Sequence, residues 1–202
     1  MAKLHFYYSA MNAGKSTTLL QANYNYLERG LSTLLFLPSI DKRAGSGVIS
    51  SRIGLKANAV SFDDNFSFKE YMQQQQIVDC ILIDEAQFLT KQQVTDLCYV
   101  TDVLNIPVLA YGLRSDFTAS PFEGSKYLLI LADQLIEIKT ICYCGKKATM
   151  NIKVNKDGAA IRHGAQVDIG GNEKYIAVCR KHFYNQDNFE KIINKQKGCE
   201  VV

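Results

Sequence analysis

With 202 residues, 47% hydrophobic and 21% charged, the chain is long enough to bury a core and too ordinary in composition for a fibrous or disordered polymer. A formal charge of +3 is too small to make a nucleic-acid binder by charge alone. No apolar run reaches the roughly 20 residues of a membrane-spanning helix.

The first element in chain order is a short apolar and aromatic run at residues 4–8, which suits a buried strand. It starts so near Met1 that cleavage of a secretory leader would destroy it, so a cytoplasmic location is expected. From Lys15 the pattern predicts a helix to about Arg29, with Leu19, Leu20, Tyr24 and Leu27 facing inward and Gly30 as its stop. Residues 33–37 read as a second strand, ended by Pro38. A loop rich in Gly and Ser follows to Arg52 and carries Asp41, Lys42 and Arg43.

Residues 68–76 read as a polar helix. Residues 78–83 form a nearly continuous apolar run, the mark of a central parallel strand, and Asp84-Glu85 closes it. Thr90, with Gln93 at the capping-box position, starts a helix to about Leu104. A strand at 106–111, a polar loop at 113–124, a short helix at 125–132 and a strand at 135–141 complete the alternation. Strands alternating with helices over residues 1–141 indicate an α/β domain with a mostly parallel sheet.

Beyond residue 141 elements shorten and glycine becomes frequent. Lys156-Asp157-Gly158 suits a hairpin turn, and residues 183–194 read as a terminal helix. The expected division is 1–141, 142–194 and a loose tail at 195–202.

Ser9-Ala10-Met11-Asn12-Ala13-Gly14-Lys15-Ser16-Thr17 has the main parts of a phosphate-binding loop. Gly14 lets backbone approach phosphate oxygens closely, and N–H groups at a helix start bind anions. Lys15 can reach the outer phosphates, and the Ser16 hydroxyl can ligate magnesium. Ser9 stands where the usual pattern has its first glycine. Asp84, at the end of the strongest strand, suits the second magnesium position. Glu85 can act as a base, either on an acceptor hydroxyl or on water. Arg43 has the planar fork that matches phosphate, although a charged turn is also an ordinary solvated surface.

Of the six cysteines, Cys80 and Cys98 fall in apolar patterns and read as buried thiols. Cys142, Cys144 and Cys179 gather with His182, a cluster that inside a cell favours metal over disulfides. One nitrogen and three sulfurs suit tetrahedral zinc, and four protein ligands leave no open position, so the site is structural. Cys142-x-Cys144 is tighter than the common spacing, and buried free thiols are the alternative. Cys199 lies near the tail with no obvious partner. Zinc would close the segment between Cys142 and Cys179 at its neck, and the part ending at Tyr175 could then cover a small acceptor and exclude water. Phe88, Phe117 and Tyr175 can wall a flat ring.

These motifs together resemble the thymidine kinases of the cytosolic, zinc-containing type. F-Y-Y-S-A-M-N-A-G-K-S-T at 6–17, I-D-E-A-Q-F at 83–88, Y-G-L-R-S-D-F at 111–117, I-G-G-N-E-K-Y at 169–175 and C-R-K-H at 179–182 carry the resemblance, which covers residues 2–186. It implies a P-loop NTPase-like α/β domain with a small C-terminal zinc-binding domain. It also implies Mg-ATP-dependent phosphorylation of the 5′-hydroxyl of deoxythymidine, with deoxyuridine also accepted, giving dTMP and ADP for nucleotide salvage. By the same resemblance Glu85 is the base, and residues Ser9 to Thr17 with Asp41, Arg43, Asp84, Glu85, Ala86 and Gln87 attend ATP. Ser16 and Asp84 attend magnesium. Met11, Phe88, Leu113, Phe117, Ile169, Gly170, Gly171, Asn172 and Tyr175 surround thymidine. The family is usually tetrameric and inhibited by thymidine triphosphate, with no nucleic-acid or membrane partner.

Two rival readings remain at this point. Asp84-Glu85-Ala86-Gln87 also suits a nucleic-acid-stimulated ATPase, but the chain lacks room for a second motor domain and shows no basic stripe. A zinc ribbon that only binds a partner leaves the phosphate loop unexplained.

Overall fold

The computed structural model describes residues 1–43, 45–75, 78–155, 157–166, 174–185, 189 and 192. The chain divides into two units. The first takes Met1–Tyr8, Gly14–Leu113 and Phe122–Glu137, and the second takes Ser9–Ala13, Arg114–Pro121 and Ile138–Val202.

The first unit runs β1 (Leu4–Ser9), α1 (Lys15–Glu28), β2 (Thr33–Pro38), β3 (Val48–Ser50), β4 (Lys56–Asn58) and β5 (Val60–Phe62). It continues with α2 (Phe68–Gln74), β6 (Cys80–Ile83), a 3₁₀ turn (Ala86–Phe88), α3 (Lys91–Asp102), β7 (Val108–Leu113), α4 (Glu123–Leu131) and β8 (Gln134–Glu137). Among the described residues the main sheet has six strands, ordered β5-β2-β6-β7-β1-β8. The β1–β8, β2–β5, β2–β6 and β6–β7 pairs are parallel. Strand β6 is buried at every position and is central in the sheet, with Leu82 opposite Leu35 of β2 and Leu109 of β7. A strand covered on both faces needs apolar side chains on both, which is why it reads as a continuous run. Phe6, Phe36, Phe68, Ile81, Ile83 and Leu97 form the core around it.

The local signals explain most element ends. Gly30 has φ +71, its N–H donates to Leu27 O, and the Leu31 N–H donates to Tyr26 O. That is a Schellman stop, which needs the left-handed conformation glycine adopts without strain. Thr90 and Gln93 form a reciprocal capping box on α3, and the Gln93 amide also donates to the carbonyls of Asp63 and Phe66.

Four expectations require correction. Tyr24 and Leu27 are 59% and 53% exposed, and the inward stripe of α1 is Lys15, Leu19, Leu20 and Asn23. Asn23 can be buried because its Oδ1 accepts the Thr33 hydroxyl at 2.6 Å. The loop expected at residues 41–52 contains β3, which forms a short antiparallel hairpin with β4. The single strand expected at 135–141 is two strands: β8 joins the parallel sheet, whereas residues 140–141 pair elsewhere, in the second unit. Of the terminal helix expected at 183–194, the described residues show a helix at Arg180–Tyr184 that starts earlier and is interrupted at the extended Asn185, and Ile192 is helical; residues 186–188, 190, 191, 193 and 194 are outside the described residues.

The 3₁₀ turn is held by a close approach at Gly124 of α4. A Cβ there would lie 2.5 Å from Ala86 O, 2.8 Å from Leu89 O and 2.9 Å from Leu89 N. All three are backbone atoms, so Gly124→Ala forces main chain to move. Such overpacking destabilises by about 1–3 kcal/mol. A clear drop in thermal midpoint is the expected result, and an unchanged midpoint would show that the turn yields freely.

The second unit contains β9 (Thr140–Ile141), β10 (Lys147–Ala148), β11 (Met150–Val154), β12 (Ala160–Ile161), β13 (Tyr175–Val178) and α5 (Arg180–Tyr184). β9 and β10 pair antiparallel, and β11 lies between β12 and β13. The turn between β11 and β12 has Asn155 Oδ1 accepting from the N–H groups of Asp157 and Ala159, with Gly158 at φ +78. Lys156 of that expected turn is outside the described residues. Ile152, Val154, Ile176, Val178 and Phe183 form this unit's core, with Ala10 and Cys142. Among the described residues no helix is long and apolar enough to cross a membrane.

Candidate active site

In the first unit α1 starts at Gly14, whose φ of +77 places it in the left-handed region, and no side chain caps the helix. Both the N–H and the hydroxyl of Thr18 donate to Gly14 O. Lys15 stands in the first turn and is buried. Its ammonium is lowered by burial, against the attraction of Glu85 and Asp84.

Asp84 follows the last residue of β6 and is 2% exposed. Its Oδ2 accepts the Ser16 hydroxyl at 2.7 Å, so the start of α1 and the end of β6 meet. Its Oδ1 accepts the Glu85 N–H at 3.0 Å. Burial, and then the adjacent Glu85 carboxylate, push Asp84 up to about 6, and the Ser16 hydroxyl and Lys15 pull the other way. A hydroxyl and a carboxylate converging in this way are hard oxygen donors of the kind magnesium takes.

Glu85 has φ 51 and ψ 40, a left-handed conformation that costs a non-glycine residue about 1–2 kcal/mol. Strain of this kind gathers at functional positions. The bend turns the chain out of β6 into the 3₁₀ turn. One Glu85 oxygen, Oε1, accepts from Arg43 Nη2, and the other, Oε2, accepts from Gln87 Nε2 at 2.5 Å. Arg43 also grips Asp41, with Nε to Oδ1 at 2.8 Å and Nη2 to Oδ2 at 2.5 Å. Burial would raise Asp41, but the Arg43 bonds and charge outweigh it and leave the carboxyl below its ordinary value. Bonding to Asp41 in turn raises Arg43, so it is a permanent cation. Its side chain is nonetheless 46% exposed.

Met11 and Asn12 belong to the second unit. Met11 N–H donates to Asn151 Oδ1 at 2.8 Å, and Asn12 has φ +62. Phe117 and Tyr175 are buried there with ring centres 6.4 Å apart, and Lys153 Nζ lies 5.2 Å from the Phe117 ring centre. Asp116 Oδ1 accepts from the N–H groups of Thr118 and Ser120, and its Oδ2 accepts the Gln166 amide at 2.9 Å. Phe88 and Leu113 lie in the first unit, where Phe88 meets Phe122 edge-on at 5.9 Å. Ile169, Gly170, Gly171, Asn172 and Cys199 are outside the described residues.

Cys142, Cys144, Cys179 and His182 bring their ligand atoms within 4.8 Å of one another. Cys142 Sγ is 3.3 Å and Cys179 Sγ 3.4 Å from His182 Nδ1, and the Cys144 and Cys179 sulfurs are 4.0 Å apart. A zinc–sulfur bond of about 2.3 Å gives tetrahedron edges of about 3.8 Å, so this set fits such an ion. Two local structures build it. Cys142 opens a tight turn in which Gly145, at φ +79, donates its N–H back to Cys142 O. Cys179 is the N-cap of α5, which puts it one helical turn from His182. The tight Cys142-x-Cys144 spacing is therefore no obstacle. The Tyr143 ring stacks on His182 at 4.4 Å.

A family model described as "Thymidine kinase" matches residues 2–183. The chain belongs to the thymidine kinase family. With that family it is an ATP-dependent kinase. It is 60% identical to a thymidine kinase of Zymomonas mobilis subsp. mobilis over 191 residues, 93% of this chain and 99% of that protein. A thymidine kinase of Coxiella burnetii is 59% identical over 91% of this chain and 95% of its own. One from Legionella pneumophila (strain Paris) is 56% identical over 91% and 90%.

In this thymidine kinase family member the structure brings Ser16 to Asp84 and joins Asp41, Arg43, Glu85 and Gln87 in one network within the first unit. It buries Ala86 completely beneath Gly124, with backbone rather than side chain at that contact. Sequence reasoning missed Asn151. It is 2% exposed, and besides holding Met11 it donates to Ser115 O at 3.0 Å. Its only sequence signal is one amide inside the otherwise apolar start of β11.

Proposed function

We propose that the protein transfers the γ-phosphoryl group of ATP to the 5′-hydroxyl of thymidine, and of deoxyuridine, giving ADP and the nucleoside monophosphate. The observation that carries this reading is the Ser16–Asp84 contact beside a strained, doubly held Glu85. It favours a phosphate-binding segment at residues 9–17 of the P-loop kind, with Lys15 on the outer phosphates. Ser16 and Asp84 would hold magnesium, which neutralises charge on the β- and γ-phosphates. Glu85 takes the proton of the acceptor hydroxyl as the oxygen–phosphorus bond forms and the bond to ADP breaks. The carboxylate keeps free lone pairs for that proton, since each oxygen has two and one bond to each is in use. The exposed Arg43 fork suits the transferring phosphoryl group. Met11, Phe117 and Tyr175, with Phe88 and Leu113, are the residues proposed for the nucleoside.

The Cys142–Cys144–Cys179–His182 set is proposed to hold a structural zinc. Thymidine triphosphate, which combines a thymine base with a phosphate chain, is the expected inhibitor. Purified protein with Mg·ATP should convert thymidine to its monophosphate, and single-stranded DNA should not raise ATP turnover. ATP hydrolysis that depends on DNA, with no nucleoside product, would overturn the proposal.

A further inference from the structure

We propose that Gln87 is a positioning residue that aims the Glu85 carboxylate, through a side-chain amide whose direction is fixed by the main chain of β7. The inference rests on the reading of Glu85 as the base. The resemblance groups Gln87 with ATP contacts. The structure instead sets its amide between Leu113 and Glu85, where the residue is 2% exposed.

An amide has two ends of similar shape, and its orientation must come from its partners. The Leu113 N–H can only donate, and it lies 2.9 Å from Gln87 Oε1. The oxygen therefore faces β7, and the amino group faces Glu85 Oε2. Leu113 is itself held from its other end, because the Ser125 hydroxyl donates to Leu113 O at 2.5 Å. Gly112 permits the approach. A Cβ there would stand 2.9 Å from Gln87 N and 3.0 Å from Gln87 Oε1.

The two partners of the Glu85 carboxylate differ in kind. Arg43 is 46% exposed along its side chain and shared with Asp41, so a phosphate can compete for it. Gln87 is buried, neutral and anchored to backbone. When Arg43 turns to a phosphoryl group, Gln87 is the partner that stays. A reacting group needs such a fixed support, since about an ångström of misplacement can cost about 10²-fold in rate.

The test is a double-mutant cycle of Gln87→Met and Glu85→Gln, read as thymidine-dependent ADP formation. Methionine keeps the length and most of the volume but has no donor. In the native background Gln87→Met should lower kcat about 10-fold and change KM for ATP by less than about two-fold. In the Glu85→Gln background the same change should have almost no effect on kcat, because the group it aims is gone. Equal losses in both backgrounds, or no loss in the native one, would overturn the positioning role while leaving Glu85 as the base. A nearly normal kcat for Glu85→Gln alone would overturn the base reading, and this inference with it. Should the methionine variant lose its near-ultraviolet circular dichroism, Gln87→Leu carries the cycle. Leucine has a shorter reach, brings in no charge and likewise lacks the donor toward Glu85, so the same losses in kcat are expected.

Discussion

Replacing Glu85 by glutamine should lower kcat for phosphoryl transfer to thymidine by about 10²–10⁴-fold, the usual contribution of a general base. The side chain keeps its shape but loses its charge, its ability to take a proton and one of the two oxygens that accept from Arg43 and Gln87. Nucleotide binding should survive, because Lys15, Ser16 and Asp84 are unchanged and Ser16 still bonds Asp84. Arg43 keeps Asp41 as an anchor when its bond to Glu85 weakens. Steady-state kinetics with thymidine, beside a direct titration with ATP, separates the two effects. A variant with near-normal kcat would mean that the acceptor hydroxyl loses its proton elsewhere.

The second large effect concerns the metal. Elemental analysis should find one zinc per chain, held by Cys142, Cys144, Cys179 and His182. Structural zinc in zinc-finger peptides contributes about 10–16 kcal/mol of apparent binding energy, so its loss dominates any local balance. Strand β13 runs from Tyr175 to Val178 and leads directly into Cys179. Cys179→Ser frees the Val178 end of this four-residue strand, whose other end carries Tyr175 beside the Phe117 ring, and loosens the strand as a whole. Residues 9–13 belong to the same unit, but the side chains of Lys15, Ser16 and Asp84 belong to the other. The variant should therefore raise KM for thymidine by about 10-fold or more, while ATP affinity changes by less than about two-fold. Equal weakening of both substrates would refute this division, and a zinc-free active native protein would refute the site.

Much of the first unit was legible because its signals are local. The apolar run of β6, the Thr90–Gln93 box and Gly30 each act over a few residues, and each has its expected form. The Cys/His cluster was legible because few arrangements explain those residue types together. What escaped depends on distant partners. Asn23 is buried on the strength of Thr33, ten positions away, and displaces Tyr24 from the inward face. The break between β8 and β9 follows from pairing with different sheets, which a run of apolar residues does not record. The same limit applies to the candidate site. Asp84 and Glu85 stand out as a pair, but the path from Glu85 through Gln87 to Leu113 joins positions 85 and 113 by an amide direction that no spacing rule encodes.

The metal cluster also has a consequence for handling the protein. The sulfurs of Cys144 and Cys179 lie 4.0 Å apart, and a disulfide needs about 2.05 Å. Cys144 is exposed, so an oxidant can reach one sulfur of this pair directly. If zinc is held there and is removed in air, a Cys144–Cys179 disulfide would leave added zinc with only two of its four ligands. Chelation without a reductant would look like irreversible inactivation, although the damage is a sulfur–sulfur bond that a thiol can undo.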